Sequence, residues 1–145
     1  MVILIADSCA LIAAYDADHP DTDACGQVLD RVGYLVVSPL VLAEVDHMAT
    51  RILGREGART IIADIRRYQR VLRVVVPEIT ADILDLAEGL RDRYAGLNLD
   101  LADAVNAALA FQHHTDAVFT VDRRDFRAMR PLGPHKAFRI LPDDA

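Results

Sequence analysis

Four acidic residues break apolar runs in this chain: Asp7 after VILIA, Glu44 within PLVLAEVDHM, Asp103 within LDLADAVNAALA and Asp122 after FTV. A carboxylate among apolar neighbours has to reach a cleft or a partner, because burying it unpaired is costly. Where several such groups converge, they repel and raise one another's pKa, and a hard divalent cation removes that penalty. All-oxygen ligation suits Mg2+ or Mn2+ rather than zinc. The histidines and cysteines form no zinc set; His113 and His114 are adjacent and point in different directions on a helix.

Each acid also has a plain structural role open to it. Asp7 stands where it would cap a helix beginning near Ser8, a role compatible with metal binding. Glu44 fits a solvated helix face, for which Asp46 is the surface comparator, and Asp122 fits an ordinary turn. Asp103 lies on a narrow polar stripe with Asn106 three residues on. Asp100, three residues earlier, sits where an N-cap would. Asp125 either caps the short helix that follows or supports the metal-binding residues, as Ser8 does beside Asp7.

The elements that must position these residues alternate in type. Residues 2–6 form a continuous apolar run, the mark of a buried parallel strand. Helices are expected over 8–15, 21–32 and 38 to about 53, the last opened by Ser38-Pro39 and closed by Gly54. Another is expected from about 56 to 70. Strand-like segments follow at 34–37, 71–76, 117–121 and, as an edge, 138–141. Thr80 caps a helix running to about 94, and 101–113 is an alanine-rich helix. Alternation of this kind indicates an α/β sandwich with a mostly parallel sheet between layers of helices. Ligands of such folds bind at the carboxyl ends of the strands, where Asp7 and Asp122 fall.

The 145 residues suit one domain over 1–145, and the 52% apolar fraction is ample for its core. Two cysteines without ligand-like spacing point to a reduced, cytoplasmic protein. No secretory signal is visible, because MVILIAD lacks a basic start and Asp7 ends the run early. No apolar stretch reaches the roughly 20 residues that span a bilayer. The net charge of −6 argues against nucleic-acid binding in bulk. The distribution argues less strongly: of sixteen basic residues only Lys136 is lysine, and the arginines cluster over 51–73 and 123–136. Arginine is the better bidentate partner for phosphate, although a GC-rich genome gives the same bias.

Four segments, IADSCALIAAYDADHP, VVSPLVLAEVDHMATRILG, LNLDLADAVNAALA and VFTVDRRDFRAMRP, together resemble the PIN-domain family and, within it, the VapC toxins of toxin–antitoxin systems. The resemblance covers essentially the whole chain and implies a PIN-like three-layer sandwich and a metal-dependent endoribonuclease. It matches Asp7, Glu44, Asp103 and Asp122 to the family's catalytic, metal-holding quartet, which decides Asp103 over Asp100. It matches Thr120 to a polar residue that helps arrange the site. Cys9 departs from it, since many relatives carry a small Ser or Asn there as a hydrogen-bond partner for the first Asp. The implied chemistry is phosphodiester hydrolysis assisted by one or two Mg2+ ions, with Arg123, Arg124 and Arg127 placed to hold flanking phosphates. The implied partners are structured RNA (tRNA or the sarcin–ricin loop of ribosomal RNA), a VapB antitoxin that fills the acidic cleft, and a second copy in a homodimer. Residues 21–32 and 51–73 are candidate contacts for antitoxin and dimer, unless their apolar faces belong to the core.

Rival readings fit less well. A haloacid-dehalogenase-type phosphatase with Asp7 as nucleophile needs an Asp where Cys9 stands and a late-strand lysine that is missing. A receiver domain lacks its early acidic pair. A catalytically inactive module of the same fold, acting through protein contacts, leaves the quartet unexplained, and a deoxyribonuclease would use the same metals.

Overall fold

A computed structural model describes residues 2–145 of the chain. Its sheet has five strands, all parallel, in the order β3-β2-β1-β4-β5. The strands are β1 (Ile3–Ala6), β2 (Tyr34–Val36), β3 (Val74–Val75), β4 (Ala117–Phe119) and β5 (Arg139–Leu141). β1 lies at the centre, with Ile5 level with Val36 on one side and Val118 on the other. A strand in that position has no face to give to water, which is why its sequence is apolar throughout.

Alternate side chains of these strands feed two separate cores. Leu4, Ala6, Leu35 and Phe119 pack under α1 (Ser8–Tyr15), α2 (Thr22–Arg31) and α3 (Pro39–Arg70). Ile5, Val36, Val118 and Ile140 pack under α4 (Ala81–Arg93), α5 (Leu101–Gln112) and α6 (Arg124–Ala128). The expected three-layer sandwich is therefore present, and its sheet is parallel throughout.

Helix starts follow the expected caps. Asp7 accepts from Ser8 N, Ser38 from Leu40 N, Thr80 from Ile83 N and Asp100 from Asp103 N. The helices expected before and after Gly54 are joined into α3 with a kink at that glycine, whose φ of 85° and ψ of 168° suit almost no other residue. The apolar face of α2 belongs largely to the core, through Cys25, Val28, Leu29 and Val32.

Three expectations need correction. The strand expected over 71–76 is only Val74–Val75. Val71 and Leu72 instead close the end of α3, where Leu72 N donates to Gln69 O and Leu72 takes a φ of 63°. Their apolar side chains are exposed, so composition there did not signal a sheet. β4 stops at Phe119 rather than Val121; Thr120 N still donates to Leu141 O, and the chain then turns as Asp122 N donates to the Thr120 hydroxyl oxygen. Asp125 does not cap α6; Arg123 holds that position, and Asp125 is buried in the first turn.

Candidate metal centre

Parallel crossovers carry β2 to one side of β1 and β4 to the other, so the strand order reverses at β1. A crevice opens at the carboxyl ends of strands at such a point. Asp7 is the first residue beyond β1, is only 6% exposed and caps α1. Its Oδ1 accepts from Ser8 N at 2.8 Å. Its Oδ2 accepts from the Thr120 hydroxyl at 2.8 Å and from the Cys9 thiol at 3.4 Å. Burial pushes Asp7 up from the usual carboxylate range, against these donors and with help from the charge of Asp100.

The departure at Cys9 is thus filled by a working donor. Burial, and then the charge of Asp7, push its thiol up to about 11, which keeps the proton on sulfur. Thr120 is fully buried and serves two segments, since its oxygen also accepts from Asp122 N at 3.0 Å. Asp122 itself is exposed at the rim of the crevice.

Glu44 comes from the start of α3 and is half-buried, and its Oε1 accepts from the Ser8 hydroxyl at 3.0 Å. Ser8 therefore joins two of the acids, donating its amide to Asp7 and its hydroxyl to Glu44. Burial raises the pKa of Glu44, and Asp100 and Asp7 add to it. Asp103 stands in the first turn of α5, and among the described residues no hydrogen-bond donor reaches its carboxylate. Burial first, then Asp7, Asp100, Asp125 and Asp122, push it up to about 8. Burial and neighbouring acids both disfavour the charge on Asp103, and a cation at this point would favour it.

The structure thus brings Asp7, Glu44 and Asp103 into one electrostatic group, with Asp122 at its edge, and adds Asp100. The cap role expected for Asp100 is present, at 2.8 Å to Asp103 N, and its charge is felt by the other three as well. Among the described residues, no three His, Cys, Asp or Glu side chains are drawn tightly enough together to cage an ion as they stand. Mg2+ does not need such a cage, because it keeps much of its own water and uses one or two carboxylates. A set made only of carboxylate oxygens fits a hard cation of that class.

The two arginines beside Asp122 differ. Arg124 has a side chain 79% exposed, with Nε 3.3 Å from Asp125. Arg123 is ion-paired on its own surface. Its guanidinium pairs with Asp143 through both Nε and Nη2, reaches Asp21 at 3.4 Å and donates to Val121 O at 2.9 Å. Arg127 is likewise paired, bidentately, with Asp144 at 2.7 and 2.8 Å. Sequence reasoning missed Asp21, Asp143 and Asp144, because nothing local to them shows which arginine they face.

A parallel sheet of this topology with an acidic crevice beyond its central strand is the architecture of PIN-domain ribonucleases. The PIN domain family model matches residues 4–130, and the chain belongs to that family, in its VapC branch. It is 31% identical over 140 residues to ribonuclease VapC26 of Mycobacterium tuberculosis, covering 96% of this chain and all of that protein. Among solved structures it is similar to M. tuberculosis VapC20, described as a sarcin–ricin loop cleaving toxin. That match has a TM-score of 0.71 at 17% identity and covers 83% of this chain and 91% of the other. A toxin–antitoxin complex from Klebsiella pneumoniae matches with a TM-score of 0.63 at 20% identity, over 92% and 98% of the two chains. VapBC2 of Rickettsia felis, bound to a promoter DNA fragment, matches at 0.62 and 17%, over 85% and 90%. Among the described residues, no helix is long and apolar enough to cross a membrane.

Proposed function

We propose that this protein is a Mg2+- or Mn2+-dependent endoribonuclease toxin that hydrolyses phosphodiester bonds in structured RNA. The observation that carries this reading is the convergence at one crevice of Asp7, gripped by three donors beyond β1, with Asp103 from α5, which burial and then the neighbouring acids push up to about 8. Asp7 and Asp103 would hold the ion, with Glu44 oriented by Ser8 and Asp122 closing the exposed side. A bound divalent cation supplies Lewis-acid stabilisation of the charge that develops on a phosphate. The donors from Ser8, Cys9 and Thr120 fix the carboxylate of Asp7, so little reorganisation is needed as charge develops. Arg124, exposed next to Asp122, holds a flanking phosphate of the RNA. VapC20, described as cleaving the sarcin–ricin loop, makes that RNA the substrate to try first, with tRNA as the second candidate.

The antitoxin partner is assigned a seat in this reading. A groove of about 210 Å3 runs between α1, α2 and the second half of α3, lined by Leu11, Tyr15, Leu29, Ile61, Ile65 and Tyr68. An apolar segment of a VapB-type antitoxin fits this lining, and both complexes among the structural neighbours pair a toxin with its antitoxin. The working unit is proposed to be a homodimer of single-domain chains in the cytoplasm.

The test is cleavage of total RNA and of single-stranded DNA by the purified protein with chelator, Mg2+ or Mn2+, with Asp7→Asn as control. New 5′ ends are expected in RNA only, only with metal, and only from the wild type. Cleavage by Asp7→Asn, or in chelator, refutes the metal mechanism. A wild type that cuts nothing yet still arrests growth supports the inactive binding module instead.

A further inference from the structure

Asn106 is a buried polar side chain that the metal centre described above does not use. It lies on α5 one turn after Asp103, fully buried among the alanines packed toward the sheet. Its Nδ2 donates to the carbonyl oxygen of Ala6 at 3.3 Å, and Ala6 is the residue directly before Asp7. Among the described residues its Oδ1 meets no donor. The orientation is set by chemistry, since exchanging the two ends of the amide would face one acceptor with another.

An amide buried with one end unsatisfied is a poor choice for stability alone. A leucine would fill similar volume and remove the orphaned Oδ1, at the cost of the donor that the buried Ala6 carbonyl takes from Asn106. What the amide does instead is tie the helix that carries Asp103 to the strand end that delivers Asp7. Ala6 directly precedes Asp7 and Asn106 follows Asp103 by one turn, so this bond joins the two elements next to both carboxylates. Groups that orient the ligands of a metal commonly govern its affinity without touching it.

We propose that Asn106 is a positioning residue: by clamping the Ala6 carbonyl to α5 it fixes the spacing of Asp7 and Asp103, and thereby the affinity of the metal centre. The inference rests on the metal-centre reading above and deepens it. Its test compares Asn106→Leu and Asn106→Ala with wild type and Asp7→Asn, all as full chains. The measurements are Mn2+ binding by calorimetry without RNA, thermal melts in chelator, and cleavage kinetics. Asn106→Leu is expected to melt in chelator close to the wild-type temperature, since it exchanges one orphaned acceptor, Oδ1, for another, the Ala6 carbonyl. Its Mn2+ affinity is expected to fall about 10- to 100-fold, and kcat to fall while KM for RNA stays unchanged. Asn106→Ala covers the case in which leucine does not fit; it is expected to melt lower yet lose metal affinity to a similar degree. If both variants bind Mn2+ as the wild type does while Asp7→Asn does not, Asn106 is core filling and this inference falls alone. If Asp7→Asn also binds like the wild type, the metal-centre reading falls with it.

Discussion

Replacing Asp103 by asparagine should stabilise the protein without metal and remove its response to metal. The side chain keeps its shape but loses the ability to carry charge. In the wild type the Asp103 pKa rises from 3.8 to about 8, which at about 1.4 kcal/mol per tenfold corresponds to about 6 kcal/mol. Asp103 keeps some access to water and the site relaxes, which brings the expected figure down to about 2–3 kcal/mol. The sign follows from the raised folded-state pKa. Below the usual carboxylate range the proton is bound in both states and the full contribution is present; it is lost as the pH climbs toward 8. In chelator the wild type should therefore weaken between pH 5 and pH 8 more than Asp103→Asn does. The two should melt alike at pH 5, and the variant should melt about 5–10 °C higher at pH 8. Mn2+ should raise the wild-type melting temperature at pH 8 and leave that of the variant nearly unchanged. Parallel pH profiles in chelator, together with equal gains from Mn2+, would refute the account of coupled carboxylates.

Other perturbations probe the supports. Thr120→Val removes the hydroxyl between Asp7 and Asp122; cleavage should fall about 10- to 100-fold and denaturant melts should show a loss of about 1–3 kcal/mol, while Thr120→Ser restores most of both. Arg124→Glu, measured for RNA binding in an Asp7→Asn background, should weaken binding and reduce the salt slope by about 1. Arg123→Gln should instead lower the melting temperature by leaving Asp21 and Asp143 facing each other, with a smaller effect on the salt slope; the reverse ranking would return Arg123 to the RNA. Gly54→Ala should cost about 1–3 kcal/mol in denaturant melts, because its backbone occupies a region open almost only to glycine.

The parts of the fold that were legible in the sequence are those with a local cause. Ser38-Pro39, Thr80 and Asp100 announce helix starts because a cap acts over three residues, and VILIA announces a strand because a two-sided burial leaves no polar position. Val71 and Leu72 misled because apolar composition was taken for burial, when these residues only close a helix into a turn. In the site, Asp7, Glu44 and Asp103 were legible as acids set into apolar patterns. The occupation of Arg123 was not, since Asp143 lies 20 residues away and Asp21 lies 102 residues away, joined only by the fold. Asp100 shows a third case: its cap role was readable locally, while its charge on the cleft became visible only with the neighbours in place.

Gly54 splits α3 into two mechanical halves. The first half delivers Glu44 to the crevice; the second supplies Ile61, Ile65 and Tyr68 to the groove. If the groove seats the partner proposed for it, the non-helical backbone at Gly54 stands between that contact and Glu44. Substitutions that remodel the groove would then fall on a different stretch of the helix from the acid, and a lineage of such proteins could diverge in whom it answers to while keeping what it does.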